Sequence, residues 1–265
     1  MEWKRVRNWL ILLVLAVDLF LAGNLAKQWL QAEQTLRQSA QDAVAIANSR
    51  GVTLSLDNIL ALPSEMYVYE TRRSDGLEQG VALALLGEDV QQESRGGGVS
   101  VYETAQGELA FRRGGALELR VAWNEVSFNS WECVETLSLA GFETETATLL
   151  EHNDAVELTQ GFEGLPVFNC RLMCTCEENV LQVRGRWLLA EEPAEGALSM
   201  TRAQLVLALC DLLEAQQVTA PQTVQAGYYL QSEDAQNLTL EPVWSVETEK
   251  GQLIMSCVTG EQVNF

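Results

Sequence analysis

Near its start the chain carries an apolar run that dictates how everything after it can be arranged. The run, Trp9-Leu-Ile-Leu-Leu-Val-Leu-Ala-Val-Asp-Leu-Phe-Leu-Ala-Gly-Asn-Leu-Ala26, is 18 residues long. As an α-helix it spans about 27 Å, close to the roughly 30 Å hydrocarbon core of a bilayer. Lys4, Arg5 and Arg7 precede it, and basic residues stay on the cytoplasmic side of a spanning helix. The sequence therefore predicts a cytoplasmic tail over 1–7, a transmembrane anchor over 8–27, and an extracytoplasmic remainder. Such a chain is a single-pass protein of the cell membrane. A cleaved signal peptide would want small residues at −3 and −1 of the cut. A cut after Ala22 puts Phe20 at −3, and one after Ala26 puts Asn24 there, so an uncleaved anchor is the expectation.

Charge divides at the same place. The chain has 265 residues, with 37 acidic and 17 basic side chains, one histidine and a net charge of −20. Residues 1–30 hold four basic and two acidic groups, a net of +2, which leaves −22 for the rest. A polyanion lacks the clustered Lys and Arg that bind phosphates, so no nucleic-acid partner is expected. One histidine also removes most imidazole-based hydrolase and metal designs. Yet 47% of the residues are apolar, enough to fold a core.

Asp18 interrupts the apolar run. A carboxylate at the centre of a spanning helix costs about 2.5–3.5 kcal/mol on insertion scales, so such residues face partners. Asp18, Ala22 and Ala26 recur every four residues on one helical face. Small residues let a second helix approach, and the acid can hydrogen-bond across the contact. These three residues are the candidate transmembrane partner interface. An oligomer, with itself or with another protein, fits the same pattern.

The outer part reads as α+β. Residues 28–50 predict a stalk or packing helix, with Leu36, Ala40, Ala43 and Ala47 at heptad-like spacing and Gly51 as its stop. Thr53–Leu62 reads as extended, Tyr67–Arg73 as a strand, and Leu77–Glu93 fits neither period. Val99–Thr104 and Glu108–Arg113 form a hairpin, followed by a strand from Ala116 to Trp123. Breakers over Asn124–Ser130 divide a first α+β subdomain, 51–125, from a second, 126–265. In the second, Glu132–Phe142 suggests a helix and Val156–Gln160, Val167–Cys176 and Val180–Leu189 suggest strands. Ala190–Gly196 reads as a loop. Thr201-Arg-Ala-Gln204 is a capping box opening a helix to Gln217, and strands follow near Ala226–Gln231, Pro242–Glu247 and Leu253–Val258. An internal echo supports two similar subdomains, each an antiparallel sheet with helix. Tyr102-Glu-Thr-Ala-Gln-Gly-Glu-Leu-Ala-Phe111 matches Val246-Glu-Thr-Glu-Lys-Gly-Gln-Leu-Ile-Met255 in register.

Chemistry is sparse. Cys170, Cys174 and Cys176 share one face of a strand with Leu172, while Cys133, Cys210 and Cys257 lie apart. No pair of Cys-x-x-Cys knuckles occurs, and His152 is distant, so the cysteines read as small apolar residues and no metal or cofactor is expected. An extracytoplasmic site would also permit disulfides. Gly96-Gly97-Gly98 precedes a strand, unlike a phosphate loop, and reads as a turn. Nucleophile-elbow, Ser-x-x-Lys and triad patterns are absent, and the many carboxylates read as solvated surface. The chain is expected not to be an enzyme.

Two stretches carry a family resemblance. Met1-Glu2-Trp3-Lys4 with Leu15-Ala-Val-Asp18-Leu-Phe-Leu21 resembles the anchor opening of YycI-type regulatory proteins of the YycH/YycI family. Leu240-Glu-Pro-Val-Trp-Ser-Val246 through Gly251 to Thr259-Gly260-Glu261 resembles that family's closing hairpin, and is also similar to PepSY-like domains. Met255-Ser256-Cys257 departs from the Asn-Ala that the family more often carries before the Thr-Gly turn. The resemblance covers roughly 45 residues, the middle matching only in length and layout. It implies a non-enzymatic, membrane-anchored accessory of a WalK-type cell-wall sensor histidine kinase of Gram-positive bacteria. Such a protein would act with a YycH-like partner through transmembrane and extracytoplasmic contacts, with Asp18 in the contact. The alternative function is an extracytoplasmic PepSY-like binding or inhibitor module for an exported protease or a wall component.

Overall fold

The computed structural model describes the backbone of residues 3–123, 129–144, 146–152, 155–232 and 234–263, and their side chains except those of 3–11, 16, 25, 26, 28–30, 32 and 33. The apolar run belongs to one uninterrupted helix, α1 (Trp3–Ser49). Gly51, with φ of +90°, turns the chain just beyond it, a conformation that a Cβ would strain. Leu36 is exposed, whereas Ala40, Ala43, Val44 and Ala47 are buried. The last three turns therefore pack, and do not form a free stalk. A short helix α2 (Leu56–Ala61) replaces the extended passage expected there. The Ser55 side chain accepts from the Asn58 N–H at its start, and Ile59 is buried, so a local cap and one apolar anchor outweigh the strand-like composition.

The remainder is mixed α+β, one large and almost wholly antiparallel sheet with few helices. After β1 (Tyr67–Arg72), helix α3 (Asp75–Leu86) leads into β2 (Gln91–Gly96), β3 (Val99–Thr104), β4 (Gly107–Phe111) and β5 (Ala116–Ala122). Helix α4 (Ser130–Leu139) leads into β6 (Thr148–His152), β7 (Ala155–Phe162), β8 (Leu165–Glu177) and β9 (Val180–Arg186). After β10 (Ala194–Leu198), helix α5 (Arg202–Ala215) leads into β11 (Thr223–Ser232), β12 (Asn237–Thr248) and β13 (Gly251–Ser256). Thus the sequence-predicted pair of helix-plus-sheet units becomes three, each a helix followed by an antiparallel meander. The ambiguous 77–93 stretch divides into the end of α3 and the exposed edge strand β2. The loop expected over 190–196 contributes β10.

Strand order is β10-β1-β12-β11-β8-β9-β5-β4-β3-β2, with β13 beside β12, and β7 then β6 extending from β8. The 13 described strands are antiparallel to their neighbours except β11 and β8, which meet in parallel at Tyr228 and Val167. A division at 125/126 does not follow this hydrogen bonding. Strand β5 before it pairs with β9 after it, and β1 pairs with β12 across 165 residues or more. The breaker stretch marks a loop, but strands choose neighbours by register and by shared core, not by chain order.

The echo segments form matching hairpins. Thr104 faces Gly107 and Tyr102 faces Leu109; Thr248 faces Gly251 and Val246 faces Leu253. In both turns the threonine Oγ1 accepts the N–H two residues on, Gln106 or Lys250, and donates to the glycine carbonyl. The shared Thr-x-x-Gly thus builds the same side-chain-closed turn twice.

Two large apolar cores result, with a small third cluster of Phe168, Val243 and Ile254 on the other face of the sheet. One joins α1, α2 and α5 to a face of β1, β11, β12 and β13, and is centred on Leu209, Leu213, Trp244 and Met255. The other joins α3 and α4 to β3–β5 and β7–β9, around Tyr102, Leu119, Leu137 and Trp187. Strand β8 serves both, with Cys170 in the first and Leu172 and Cys174 in the second.

Candidate functional site

Of the expected interface, Asp18 and Ala22 lie one helical turn apart on α1, and both are exposed. Leu12, Leu13, Leu15, Val17, Leu19, Phe20 and Leu21 around them are also exposed, Phe20 to 68%. The side chain of Ala26 lies outside the described residues, as do those of 8–11, 16 and 25 within the expected anchor. Among the described residues, no helix is long and apolar enough to cross a membrane.

The far end of the same helix is fixed in place. Ala43 and Ala47 present small faces to the α5 core. Beyond them, one Arg50 guanidinium nitrogen donates to Asp211 at 2.7 Å and to Glu214 at 2.6 Å, both on α5. These hydrogen bonds, Glu214 foremost, push the Arg50 pKa upward and keep it charged. Helix α5 opens with the predicted box, in which the Thr201 side chain accepts from the Gln204 N–H and Gln204 reaches back to the Thr201 N–H. An apolar seam and an ionic clamp therefore join the N-terminal helix to the sheet.

A second feature lies on the sheet face turned away from the helices. Along β7, Val156 and Leu158 enter the core beneath α4 while Glu157 and Thr159 point the other way. Along β12, Trp244 and Val246 face α5 while Ser245 and Glu247 do not. The twisted sheet makes a cleft of about 530 Å³ between these outward rows. Its floor holds Phe168, packed over Gly227, where a Cβ would come within 2.5 Å of the ring and 2.4 Å of the Pro166 carbonyl. Arg171 donates to the Phe168 carbonyl at 2.7 Å and to Glu157 at 3.3 Å, so the cation of the cleft is paired. Thr223 donates to Glu247 at 3.0 Å, and Gln252 to the Ser245 hydroxyl at 2.8 Å. Sequence reasoning missed this cleft because it missed β6, whose five residues are all exposed. The signal was the polar half of the alternation in the C-terminal strands, where Gln225, Ser245 and Glu247 punctuate apolar neighbours.

The cysteines behave as small apolar groups. All six are free, and all but Cys176 are buried. Cys133 on α4 and Cys174 on β8 hydrogen-bond to each other, and this contact together with burial pushes the Cys174 pKa upward. Burial alone pushes the Cys170 thiol up to about 12. Thiols held protonated in this way are poor nucleophiles. Among the described residues no group of His, Cys, Asp or Glu could hold a metal ion, and His152 stands exposed at the end of β6. The three glycines 96–98, all at positive φ, form the β2–β3 turn.

No family model and no curated protein matches the chain. Among solved structures it is similar to an uncharacterized protein from Eubacterium rectale ATCC 33656, at 13% identity over 76% of this chain and 87% of that one, with a TM-score of 0.42. It is also similar to the Bacillus megaterium YpeB C-terminal domain, at 9% identity over 73% of this chain and 99% of that one, with a TM-score of 0.33.

Proposed function

We propose that this chain is a non-enzymatic, membrane-anchored extracytoplasmic regulator of a cell-wall sensor histidine kinase. In this reading its sheet-and-helix units are PepSY-like and it acts, with a YycH-like partner, by contact. The observation that carries the reading is the continuity of α1. One helix runs unbroken from Trp3 to Ser49, bears exposed apolar residues and Asp18 in its first half, and ends clamped to α5. A rigid helix of this kind transmits a displacement at either end to the other, as a flexible linker would not. The resemblance of the opening and closing stretches to YycI-type proteins supplies the partner class.

The test is co-purification in mild detergent from a Gram-positive host. The full chain is expected to retain the sensor kinase, and a chain beginning at Gln31 to lose it. Asp18→Leu is expected to weaken that retention while leaving membrane insertion intact, because it removes a hydrogen-bonding group from an apolar helix. Equal retention by all three proteins would sink the reading.

A further inference from the structure

We infer that the cleft on the helix-free face of the sheet binds a neutral, extended oligosaccharide. The inference is independent of the anchor and of any kinase, because no described residue of α1 contributes to the cleft.

Three properties of the cleft select this ligand class. The first is charge. Its one arginine is already paired with Glu157, and Glu247 adds a further acid on a chain of net charge −20. Phosphorylated or carboxylated polymers would meet repulsion with no cation to offset it. The second is the kind of polar group on offer. Hydroxyls and carboxamides dominate the walls, and these both donate and accept, as sugar hydroxyls do. Thr148, Thr159, Gln222 and Gln225 line the cleft from opposite sides and make no side-chain hydrogen bond among the described residues, so their capacity is open to a ligand.

The third property is the apolar surface. The exposed Leu150 and the half-buried Pro166 lie beside the polar rows, over a buried Phe168, matching the alternation of a pyranose, whose C–H face is apolar and whose rim is polar. A peptide is recognised differently. It takes main-chain hydrogen bonds from an open sheet edge, or drives apolar side chains into pockets. Here β7 and β12 are paired on both edges where they line the cleft, whereas among the described strands β6 and β13 each keep one open edge at its margins. A strand added to either edge would extend the sheet in its plane and not lie across the outward side chains of its face. The cleft volume of about 530 Å³ suits a segment of chain more than a single small metabolite. Each sugar unit would exchange water hydrogen bonds for contacts with Gln222, Gln225 and Gln252 on one wall and Thr148 and Thr159 on the other. Binding of this kind is shallow and individually weak, and gains strength by repetition along a polymer.

The test exposes the full chain, in a detergent without a sugar headgroup, to an array of neutral α- and β-linked hexasaccharides of glucose, N-acetylglucosamine, galactose and mannose. Hits are titrated by calorimetry. At least one is expected to bind saturably with a Kd below about 1 mM, and with little change between about 0.05 and 0.5 M salt because no charge is exchanged. Gln225→Ala and Gln252→Ala, both at exposed positions, are each expected to weaken binding by about threefold to tenfold, the worth of one net hydrogen bond. Thr239→Ala, in the separate cleft beside β1 and β12, is expected to leave it unchanged. The inference is overturned if no member of the array binds. It is equally overturned if binding survives the two glutamine substitutions together, or falls steeply with salt. Saturation of the same residues by a peptide library, with no sugar bound, would likewise assign the cleft to another class of ligand.

Discussion

The two cores use the same parts and finish them differently. The core under α5 is assembled mainly from both ends of the described chain, with residues from 43 to 69 meeting residues from 205 to 257, and only Val167 and Cys170 of β8 from between them among its buried members. The core under α3 and α4 draws on one continuous stretch, from Val81 to Trp187. Their outer layers differ as well. Helix α5 is itself covered, by the end of α1. Among the described residues helices α3 and α4 have no such cover, and leave Leu77 and Leu83 exposed at 48% and 42%, and Trp131 and Leu139 at 73% and 81%. One core is thus closed by a second layer of helix while the other stops at one. The closed core depends on distant segments finding each other, which is slow to form; the open one can organise locally. The N-terminal helix is part of what completes the first core.

The seam between the cores is the most direct place to break this arrangement. Arg73 follows β1 in the first unit, and its guanidinium donates twice to Glu78 of α3 in the second, with the Nη2 to Oε2 distance at 2.7 Å. The same side chain donates to the Gly98 carbonyl. Both partners are 1–2% exposed. Removing one member of such a pair leaves a buried charge without compensation, so Arg73→Ala is expected to cost about 3–5 kcal/mol in urea unfolding. The double variant with Glu78→Ala is expected to recover part of that loss. Amide exchange should accelerate in β12 and β4 together. Acceleration in one alone would show that the cores are not coupled through this pair.

Alkaline pH sharpens the comparison through the buried thiols. The folded pKa of Cys170 is raised to about 12 by burial, whereas an unfolded thiol ionises near 8.5. Above that lower value the unfolded chain has lost a proton that the folded chain keeps. Stability therefore falls as pH rises, by about 1.4 kcal/mol per pH unit from Cys170 alone, until pH reaches the folded value. Burial raises Cys257 in the same core too. Cys170→Ala is expected to flatten the slope of unfolding free energy between pH 9 and 12 by that amount. An unchanged slope would mean the thiol is solvated in solution.

Legibility in the sequence followed locality. The stop of α1 at Gly51, the Thr201–Gln204 box and the Thr-x-x-Gly turns were readable because each is closed by atoms within a few residues. Helix α2 was missed, since its six residues give too short a pattern to separate from a strand. Helix α3 was obscured by Gly76 and Gly80, poor helix formers that its Ser74 cap and its buried Val81, Ala82 and Leu86 outweigh. The partnering of β1 with β12 and of β5 with β9 had no local signal at all. The cleft inherits that difficulty, because its two walls come from strands brought together only by the sheet.

The layer that closes the first core can be disturbed without touching the second. Ala47 is fully buried, and a leucine there must push α1 away from the core or distort its neighbours. Overpacking of this sort costs about 1–3 kcal/mol. Ala47→Leu is expected to raise amide exchange in α5 and β12 while β3 and β4 keep their protection. Equal loss in both would show that α1 supports the whole sheet and not one core.

The smallest effect comes from the uncovered layer. Gly80 sits in the middle of α3 on its exposed face, and a Cβ built there meets no atom within 4 Å. Its φ is not in the left-handed region, so alanine fits without strain. Glycine within a helix is worth about 0.5–1 kcal/mol less than alanine, largely because it frees the unfolded chain. Gly80→Ala is therefore expected to raise stability by about that much, read as a higher urea midpoint at unchanged m-value. The contrast with α1 is instructive. There Ala43 and Ala47 are small because another element lies against them, and enlarging one is costly. On α3 no described residue lies within 4 Å of a Cβ at Gly80, so a small residue there lowers stability without improving any described contact of this fold. A loss of stability on Gly80→Ala would mean that space is filled in solution, and that the second core is closed after all.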